Sequence, residues 1–207
     1  KRVEELATPA TALPDHRRLS HGLDEVIERR AAFLADYQNA AYAARYRSLV
    51  ERARRLEAAC LPESTQLTEA VARNYHKLLA YKDEYEVARL YTSGEFKRRL
   101  EQQFEGDYKL EFHLAPPMLS ETDPATGEPK KKAYGPWMLK AFQGLARMKR
   151  LRGTRFDPFG RTPERKMERQ LIADYEKTLG ELLSGLNHEN HGLAVQIASI
   201  PDAIRGF

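Results

Sequence analysis

The chain has 207 residues, 42% of them hydrophobic, and a net charge of +4, which is enough length and apolar content for one large or two small globular domains. No apolar run approaches the ~20 residues of a membrane-spanning helix, and the amino-terminal residues lack the hydrophobic region of a secretory signal. The single cysteine, Cys60, excludes an internal disulfide and is typical of a protein of the reducing cytoplasm.

The first part of the chain predicts a linker followed by a long helix. Residues 1–18 combine prolines with charged residues and show no periodicity, so we expect a linker from an upstream domain and a single helical domain over residues 19–207. Because the sequence begins without Met, we expect it to be a piece of a longer chain. From Leu23 to about Ala59 apolar residues recur at helical spacing, and the pattern allows a kink at Gln38 and Asn39.

A second long helix is predicted for Leu67–Tyr91, which contains neither Gly nor Pro. Its apolar residues form a stripe with Leu78 near the centre, and the short break before it favours antiparallel pairing with the first helix. Four of the ten tyrosines lie on it: Tyr75, Tyr81, Tyr85 and Tyr91. Because neighbouring carboxylates repel phosphate, we expect these rings to pack in the core rather than to stack on nucleic-acid bases.

Three carboxylates on the same stretch have two interpretations. Asp83, Glu84 and Glu86 lie beside Lys82 and Arg89. We expect ion pairs on the helix surface, and the alternative is a paired, partly buried cluster.

A β-hairpin is predicted after Gly106, where the periodicity changes from helical to two. In Tyr108–Leu114 apolar and polar residues alternate, which is typical of a half-buried strand and places His113 on the polar face. Residues 123–127 carry a turn signal, and residues 129–134 are the expected return strand.

The remaining chain predicts three more helices. One runs from Trp137 to about Arg150, and we expect Trp137 to be largely buried over the joint with the hairpin. The next begins at Pro163, and the last covers residues 189–199. Their expected buried residues are Leu171, Tyr175, Leu179, Leu182 and Leu186 on the first, and Leu193, Ile197, Ile200 and Ile204 on and after the second. The predicted fold is mainly α, an antiparallel long-helix bundle of four or five helices with one small β-hairpin.

Positive charge is concentrated in one segment. Between Pro129 and Arg155 there are nine basic residues and no acidic residue, whereas the other 180 residues carry 25 basic and 30 acidic side chains. The nine are Lys130, Lys131, Lys132, Lys140, Arg147, Lys149, Arg150, Arg152 and Arg155. They either balance the acidic remainder or upstream domains, or form a docking surface for an acidic partner.

No sequence motif identifies a catalytic chemistry. The chain has no GxGxxG or GxxxxGK[ST] loop, no HExxH and no CxxC. His188 and His191 share a helix face, but no carboxylate at suitable spacing completes a metal site, so we expect a surface or capping role for them. We predict no catalytic, cofactor-binding or metal-binding residue in this chain.

Six blocks of sequence resemble a known family in their order and spacing. They are similar to the C-terminal domain of the fused indolepyruvate:ferredoxin oxidoreductases, which are 2-oxoacid:ferredoxin oxidoreductases, and the resemblance covers about residues 23–207. The blocks are Gln38–Tyr46, Ala80–Tyr91, Phe104–Pro117, Tyr134–Met138, Leu151–Gly160 and Ile204–Phe207. The resemblance implies a parent enzyme that decarboxylates aryl pyruvates oxidatively to acyl-CoA, passes electrons to ferredoxin, and uses thiamine diphosphate, Mg²⁺ and 4Fe-4S clusters.

The resemblance also implies where those cofactors are bound. The family's thiamine and cluster motifs belong to upstream domains, and one cysteine cannot supply the four thiolates of a 4Fe-4S cluster. We therefore expect a non-catalytic structural or docking domain without a cofactor of its own, in a cytoplasmic, oligomeric parent. Its expected partners are the upstream domains, with ferredoxin and CoA through the parent. Two alternatives remain: a basic helical module that binds nucleic acid, and a domain that contributes to substrate or CoA binding.

Overall fold

The computed structural model describes residues 22–106, 108–114 and 130–204. These ranges contain eight α-helices and one two-stranded antiparallel sheet. The predicted mainly α class with a small hairpin is confirmed, whereas the predicted number of four or five helices is too low, because both predicted long helices are divided. The predicted linker at residues 1–18 and the predicted turn at residues 123–127 lie outside the described residues. None of the helices in the described ranges is long and apolar enough to cross a membrane.

The elements follow one another along the chain as a run of helices interrupted by the hairpin. They are α1 (Leu23–Tyr37), α2 (Ala40–Cys60), α3 (Gln66–Leu79), α4 (Glu84–Thr92), α5 (Gly94–Gln103), β1 (Phe112–Leu114), β2 (Lys132–Tyr134), α6 (Met138–Arg147), α7 (Pro163–Ser184) and α8 (His191–Ala198). Short 3₁₀ helices follow α6 at Met148–Leu151 and α8 at Ile200–Ala203.

The first predicted long helix is divided in two at the predicted kink. Asn39 is extended, with φ −171°, and its Oδ1 accepts a hydrogen bond from the backbone N–H of Tyr42 at 2.9 Å. Asn is among the preferred N-cap residues because its side chain satisfies a free amide of the first turn. The kink is therefore a complete break that starts a new helix.

The prediction of one helix over Leu67–Tyr91 is wrong. α3 ends at Leu79 and α4 begins at Glu84, because Asp83 acts as the N-cap of α4 and accepts the backbone N–H of Glu86 at 2.8 Å. Asp bonds nearby backbone groups in non-helical conformations, so it favours a cap over a helix interior. The break also changes the core position: Leu79 is fully buried and Leu78 is only half-buried.

The chain divides into two compact units, and the first contains the described residues up to Ala80 and from Gln170 onward. In it α1 packs on α2, α2 on α3, and α3 on α8. The rings of Tyr46, Tyr75 and Tyr175 stack with centroids 6.0 and 5.9 Å apart. The expected core position of Tyr75 is thus confirmed.

The buried faces of α7 and α8 differ in part from the predicted ones. On α7 the buried residues are Ile172, Tyr175, Leu179 and Leu183. After it, the small side chains of Ala194 and Ala198 are buried, whereas Leu193 is 56% and Ile200 61% exposed, so the predicted burial of those two is wrong. α8 has only eight residues, and it packs on α3.

The second unit contains Tyr81–Arg169. Its core joins Ala88 of α4, Phe112 of β1, and Met138 and Phe142 of α6. In the hairpin Phe112 lies opposite Tyr134, and Phe112 is buried while His113 is exposed, as the alternating pattern predicted. The hairpin is therefore confirmed, and the helix predicted to start at residue 137 starts at Met138.

Candidate functional site

A buried carboxylate in the first unit joins α2 to the start of α3. Glu57 is 1% exposed, and its Oε1 accepts hydrogen bonds from Ser64 Oγ and Leu67 N–H, both at 2.9 Å. Its Oε2 accepts from Thr68 N–H at 2.8 Å and Thr68 Oγ at 2.6 Å. Glu57 thus serves as the N-terminal cap of α3, which Thr65 does not provide through its own side chain.

His191 completes this cluster and is buried, so a surface role is wrong for it, while His188 is exposed. His191 Nε2 lies 2.8 Å from Glu57 Oε1 and 3.5 Å from Ser64 Oγ. In a nucleophilic triad the imidazole uses different nitrogens for the carboxylate and the serine. Here Nε2 of His191 faces both the carboxylate and the serine, and the serine hydroxyl donates to the carboxylate. The three side chains therefore do not have the geometry of a triad, and their hydrogen bonds stabilise the fold.

The electrostatics of Glu57 agree with a structural role. Burial by itself raises the pKa of the carboxyl, but the hydrogen bonds from Thr68, His191 and the backbone N–H groups of Leu67 and Thr68 outweigh it. The result is a pKa below the ordinary value, which keeps the cap charged at neutral pH.

A second internal contact in this unit uses Glu176 of α7. Arg45 donates to both of its carboxylate oxygens, at 2.6 and 2.8 Å, and the Tyr75 hydroxyl donates to the same group. Burial and the bond to Glu176 raise the pKa of Tyr75, so the phenol remains a neutral donor. These polar side chains connect α2, α3 and α7.

The second unit contains a buried ion pair that changes the predicted docking set. Arg152 is 3% exposed and donates from Nε and Nη2 to Asp83 at 2.5 and 2.8 Å, so its prediction as a docking residue is wrong. Its guanidinium also lies 5.5 Å from the centre of the Tyr85 ring. The pair fixes the connection after α6 to the start of α4.

Asp157 holds the same connection together. Its Oδ1 accepts from the Tyr85 hydroxyl at 3.0 Å and from Phe159 N–H at 3.1 Å, and its Oδ2 accepts from Gly153 N–H at 2.8 Å. Gly153 has φ +72°, a conformation that favours glycine. A Cβ at Gly160 would lie 2.6 Å from Asp157 Oδ2, so the chain passes this carboxylate too closely for any side chain.

Two of the three carboxylates Asp83, Glu84 and Glu86 are buried, as in the alternative of a paired, partly buried cluster, so the expected surface position is wrong for these two. Asp83 and Glu86 are 3% and 5% exposed, and Glu86 accepts two hydrogen bonds from Arg89 at 2.7 Å. Nearby, Arg165 donates to the buried Glu168 at 2.6 Å. Burial raises the pKa of Glu168, although Arg165 opposes that effect. These buried carboxylates therefore pair with arginines of the same unit.

Most of the predicted basic residues lie on the surface of the second unit. Seven are exposed, namely Lys130, Lys131, Lys132, Lys140, Arg147, Arg150 and Arg155. Lys149 is half-buried, and Arg152 is the buried one. The segment therefore presents positive charge from the hairpin, from α6 and from the turn that follows it.

Trp137 is 59% exposed, so its predicted burial is wrong. Met138 and Phe142 enter the core instead, and the indole rests against the Tyr134 ring with centroids 6.1 Å apart. Trp137, directly before α6, begins an exposed line of residues that continues along the helix through Ala141 and Gly144 to Met148, directly after it. Lys140 and Arg147 lie along one side of this line. We call these six residues the α6 face.

Of the α6 face, the sequence predicts only Lys140 and Arg147 as docking residues. A signal for the others exists, because positions 137, 141, 144 and 148 follow helical spacing beside the core stripe. In the part of the chain that the structure describes, no group of three or more His, Cys, Asp or Glu side chains could hold a metal ion.

The model of DUF6537, described as a family of unknown function, matches residues 23–207. Comparison with curated proteins and comparison with solved structures give no match.

Proposed function

The chain belongs to DUF6537, a family of unknown function, and on that premise we propose that it is a non-catalytic structural and docking domain of an indolepyruvate:ferredoxin oxidoreductase. The parent enzyme would decarboxylate aryl pyruvates oxidatively to acyl-CoA and pass the electrons to ferredoxin in the cytoplasm. The sequence resemblance over residues 23–207 supports the parent. The exposed basic segment of the second unit supports docking, and it is the observation that carries the proposal.

The buried ionisable residues are consistent with this role. Glu57 caps α3, Asp83 caps α4 and binds Arg152, and Asp157 holds a loop. Each of these carboxylates satisfies donors of the fold, so each has a structural task that requires no reaction.

The parent's cofactors fit other domains better than this chain. A 4Fe-4S cluster takes four thiolates, and Cys60 is the only cysteine. Cys60 is the last residue of α2, and its Sγ lies 3.5 Å from the backbone oxygen of Glu57 in the same helix. We assign the clusters, thiamine diphosphate and Mg²⁺ to the upstream domains of the parent.

The basic segment explains how such a domain would contribute to electron transfer. Exposed charges attract an oppositely charged protein over a Debye length of ~10 Å at 0.1 M salt, and they act mainly on the association rate. An acidic electron acceptor such as ferredoxin would therefore be steered toward the second unit, while the chemistry at the cofactors would be unaffected.

The experiment uses the intact oxidoreductase with Lys130, Lys131 and Lys132 changed to Glu. We expect the KM for ferredoxin to rise several-fold at low salt and turnover with a small artificial electron acceptor to stay unchanged. The matched control changes three exposed lysines elsewhere, Lys97, Lys166 and Lys177, to Glu.

Two results would contradict the proposal. If both acceptors respond alike to the triple substitution, the segment does not dock ferredoxin. If the intact wild-type chain does not oxidise indolepyruvate, the proposed parent is wrong.

A further inference from the structure

The α6 face combines apolar and basic groups on one side of a single helix. Trp137 and Met148 are 59% and 43% exposed, and they share this side of the helix with the two basic residues. They are eleven positions apart, which corresponds to about three helical turns and ~16 Å. Ala141 and Gly144 lie between them on the same exposed side.

The sizes of the side chains leave the middle of the face lower than its ends, and we call this shallow depression the saddle. Two large side chains form its ends, and the small side chain of Ala141 with the bare backbone of Gly144 forms its middle. A Cβ added at Gly144 would meet nothing within 4 Å, so the space above this glycine is open. Helices approach each other within ~8–10 Å, and small residues at the crossing point allow the shorter distances.

The charge of the face selects the kind of partner. Lys140 and Arg147 are exposed, seven residues apart, and so lie on the same side of the saddle. The segment from Lys130 to Arg155 contains no carboxylate that could balance them locally. A partner would gain by presenting acidic residues along the matching edge.

We propose that the α6 face docks an amphipathic helix of a partner protein, with acidic residues along one edge and apolar residues over Ala141 and Gly144. This inference rests on the proposed docking role and adds the apolar contact to it. Trp137 and Met148 contact the docked helix at its two ends. Lys140 and Arg147 form ion pairs with its acidic residues.

The shape also favours a protein helix over other anionic partners. A membrane surface is bound through large apolar side chains that insert into it, and the middle of this face has only Ala141 and Gly144 to insert. Single-stranded nucleic acid stacks on a series of aromatic rings, whereas the α6 face carries Trp137 alone.

Trp137 makes a direct test feasible, because it is the only tryptophan of the chain. The probe is a synthetic amphipathic helical peptide of about five turns, with Leu and Ala on one side and Glu along the edge. We expect the peptide to shift Trp137 emission to the blue and to reduce iodide quenching. The same peptide with Lys in place of Glu is expected to have no effect.

Two variants separate the apolar contact from the charges, each with a matched control. Gly144→Leu fills the saddle without a clash at its Cβ and should weaken binding at least about tenfold by steric exclusion. Its control is Gly192→Leu, at another exposed helical glycine with open space. K140E together with R147E should weaken binding roughly tenfold at low salt, and less at high salt. K166E with K177E makes the same charge change on α7 and should leave binding unchanged.

Three results would overturn the inference. The first is an acidic peptide that leaves Trp137 emission unchanged up to millimolar concentration. The second is equal binding of the Lys peptide or of the Gly144→Leu variant. The third is a larger emission change with anionic lipid vesicles or a single-stranded oligonucleotide than with the acidic peptide. Because the readout is peptide binding, its failure is distinguishable from a failed turnover assay with the Lys130, Lys131 and Lys132 variant.

Discussion

Replacing Glu57 by Gln tests whether this buried carboxylate holds the first unit together. The change keeps the size of the side chain and converts one of its two acceptor oxygens into a donor. In the native protein both oxygens accept hydrogen bonds, from Leu67 N–H and Ser64 on one side and from Thr68 N–H and Oγ on the other. Whichever way the amide of Gln is turned, its NH2 group faces one backbone N–H, of Leu67 or of Thr68, which is left without an acceptor. The hydroxyl on that side can turn and accept from the NH2, but all the hydrogen bonds lose their charged acceptor.

The structure sets the size of the effect. Hydrogen bonds to a charged group contribute about 1.5–3 kcal/mol each, and a buried donor left without a partner costs about 1–3 kcal/mol. Because Glu57 is 1% exposed, water cannot replace the lost acceptor. We expect Glu57→Gln to lower the free energy of unfolding by about 3–5 kcal/mol, in the range for breaking a buried charged contact.

Urea denaturation followed by circular dichroism measures this loss as a lower midpoint. The matched control is Glu51→Gln on the same helix, since Glu51 is exposed and lies 3.6 Å from Arg54. A surface pair contributes ~0–1 kcal/mol, so the control should change little. A loss below ~1 kcal/mol for Glu57→Gln would refute the capping role, since the expected loss is several times larger.

The same variant carries a pH signature. The pKa of Glu57 is lowered in the folded protein, so the unfolded chain binds more protons between the folded value and ~4.3. The contribution of Glu57 is therefore fully present above ~4.3 and is lost as the pH falls through the folded pKa. Glu57→Gln should remove this part of the acid destabilisation, and an unchanged acid profile would contradict the account.

Three further predictions concern single positions in the two units. Leu79→Ala should cost about 2–5 kcal/mol in urea denaturation, and Leu78→Ala clearly less, because Leu79 is fully buried; equal losses would show that the core stripe is misplaced. Gly160→Ala should cost about 1–3 kcal/mol because its Cβ would lie 2.6 Å from Asp157 Oδ2, and a stable variant would show that the loop can move away. Burial lowers the pKa of His76 to about 3 from 6.5, so the unfolded chain binds a proton at a higher pH than the folded protein does. The free energy of unfolding should therefore fall as the pH drops below 6.5. His76→Phe should flatten this pH profile, and an unaltered profile would exclude His76 as its source.

The fold class could be predicted from the sequence because local patterns determine it. The alternation around Phe112 depends only on neighbouring residues, and so does the start of α7 at Pro163. The break at Asp83 was also encoded locally, since Asp followed three residues later by Glu86 resembles a capping box. The apolar stripe of residues 67–91 continues across Asp83, and this periodicity hides the capping signal.

The site could be predicted only in part because its key contacts are distant in sequence. Arg152 is buried in an ion pair with Asp83, which lies 69 residues away in the sequence. The neighbouring residues therefore give no sign that this arginine is not part of the exposed basic segment. Trp137 was expected in the core because of its size, but α6 carries two neighbouring apolar stripes. Only the packing of Met138 and Phe142 decides which stripe is covered.

Hydrogen exchange of the intact oxidoreductase, with and without ferredoxin, tests directly the proposal that the second unit docks the electron acceptor of a parent enzyme. We expect slower exchange in β2 and α6, residues 132–147, at low salt, and loss of this protection at high salt. Unchanged exchange in these residues, with protection elsewhere in the enzyme, would contradict it.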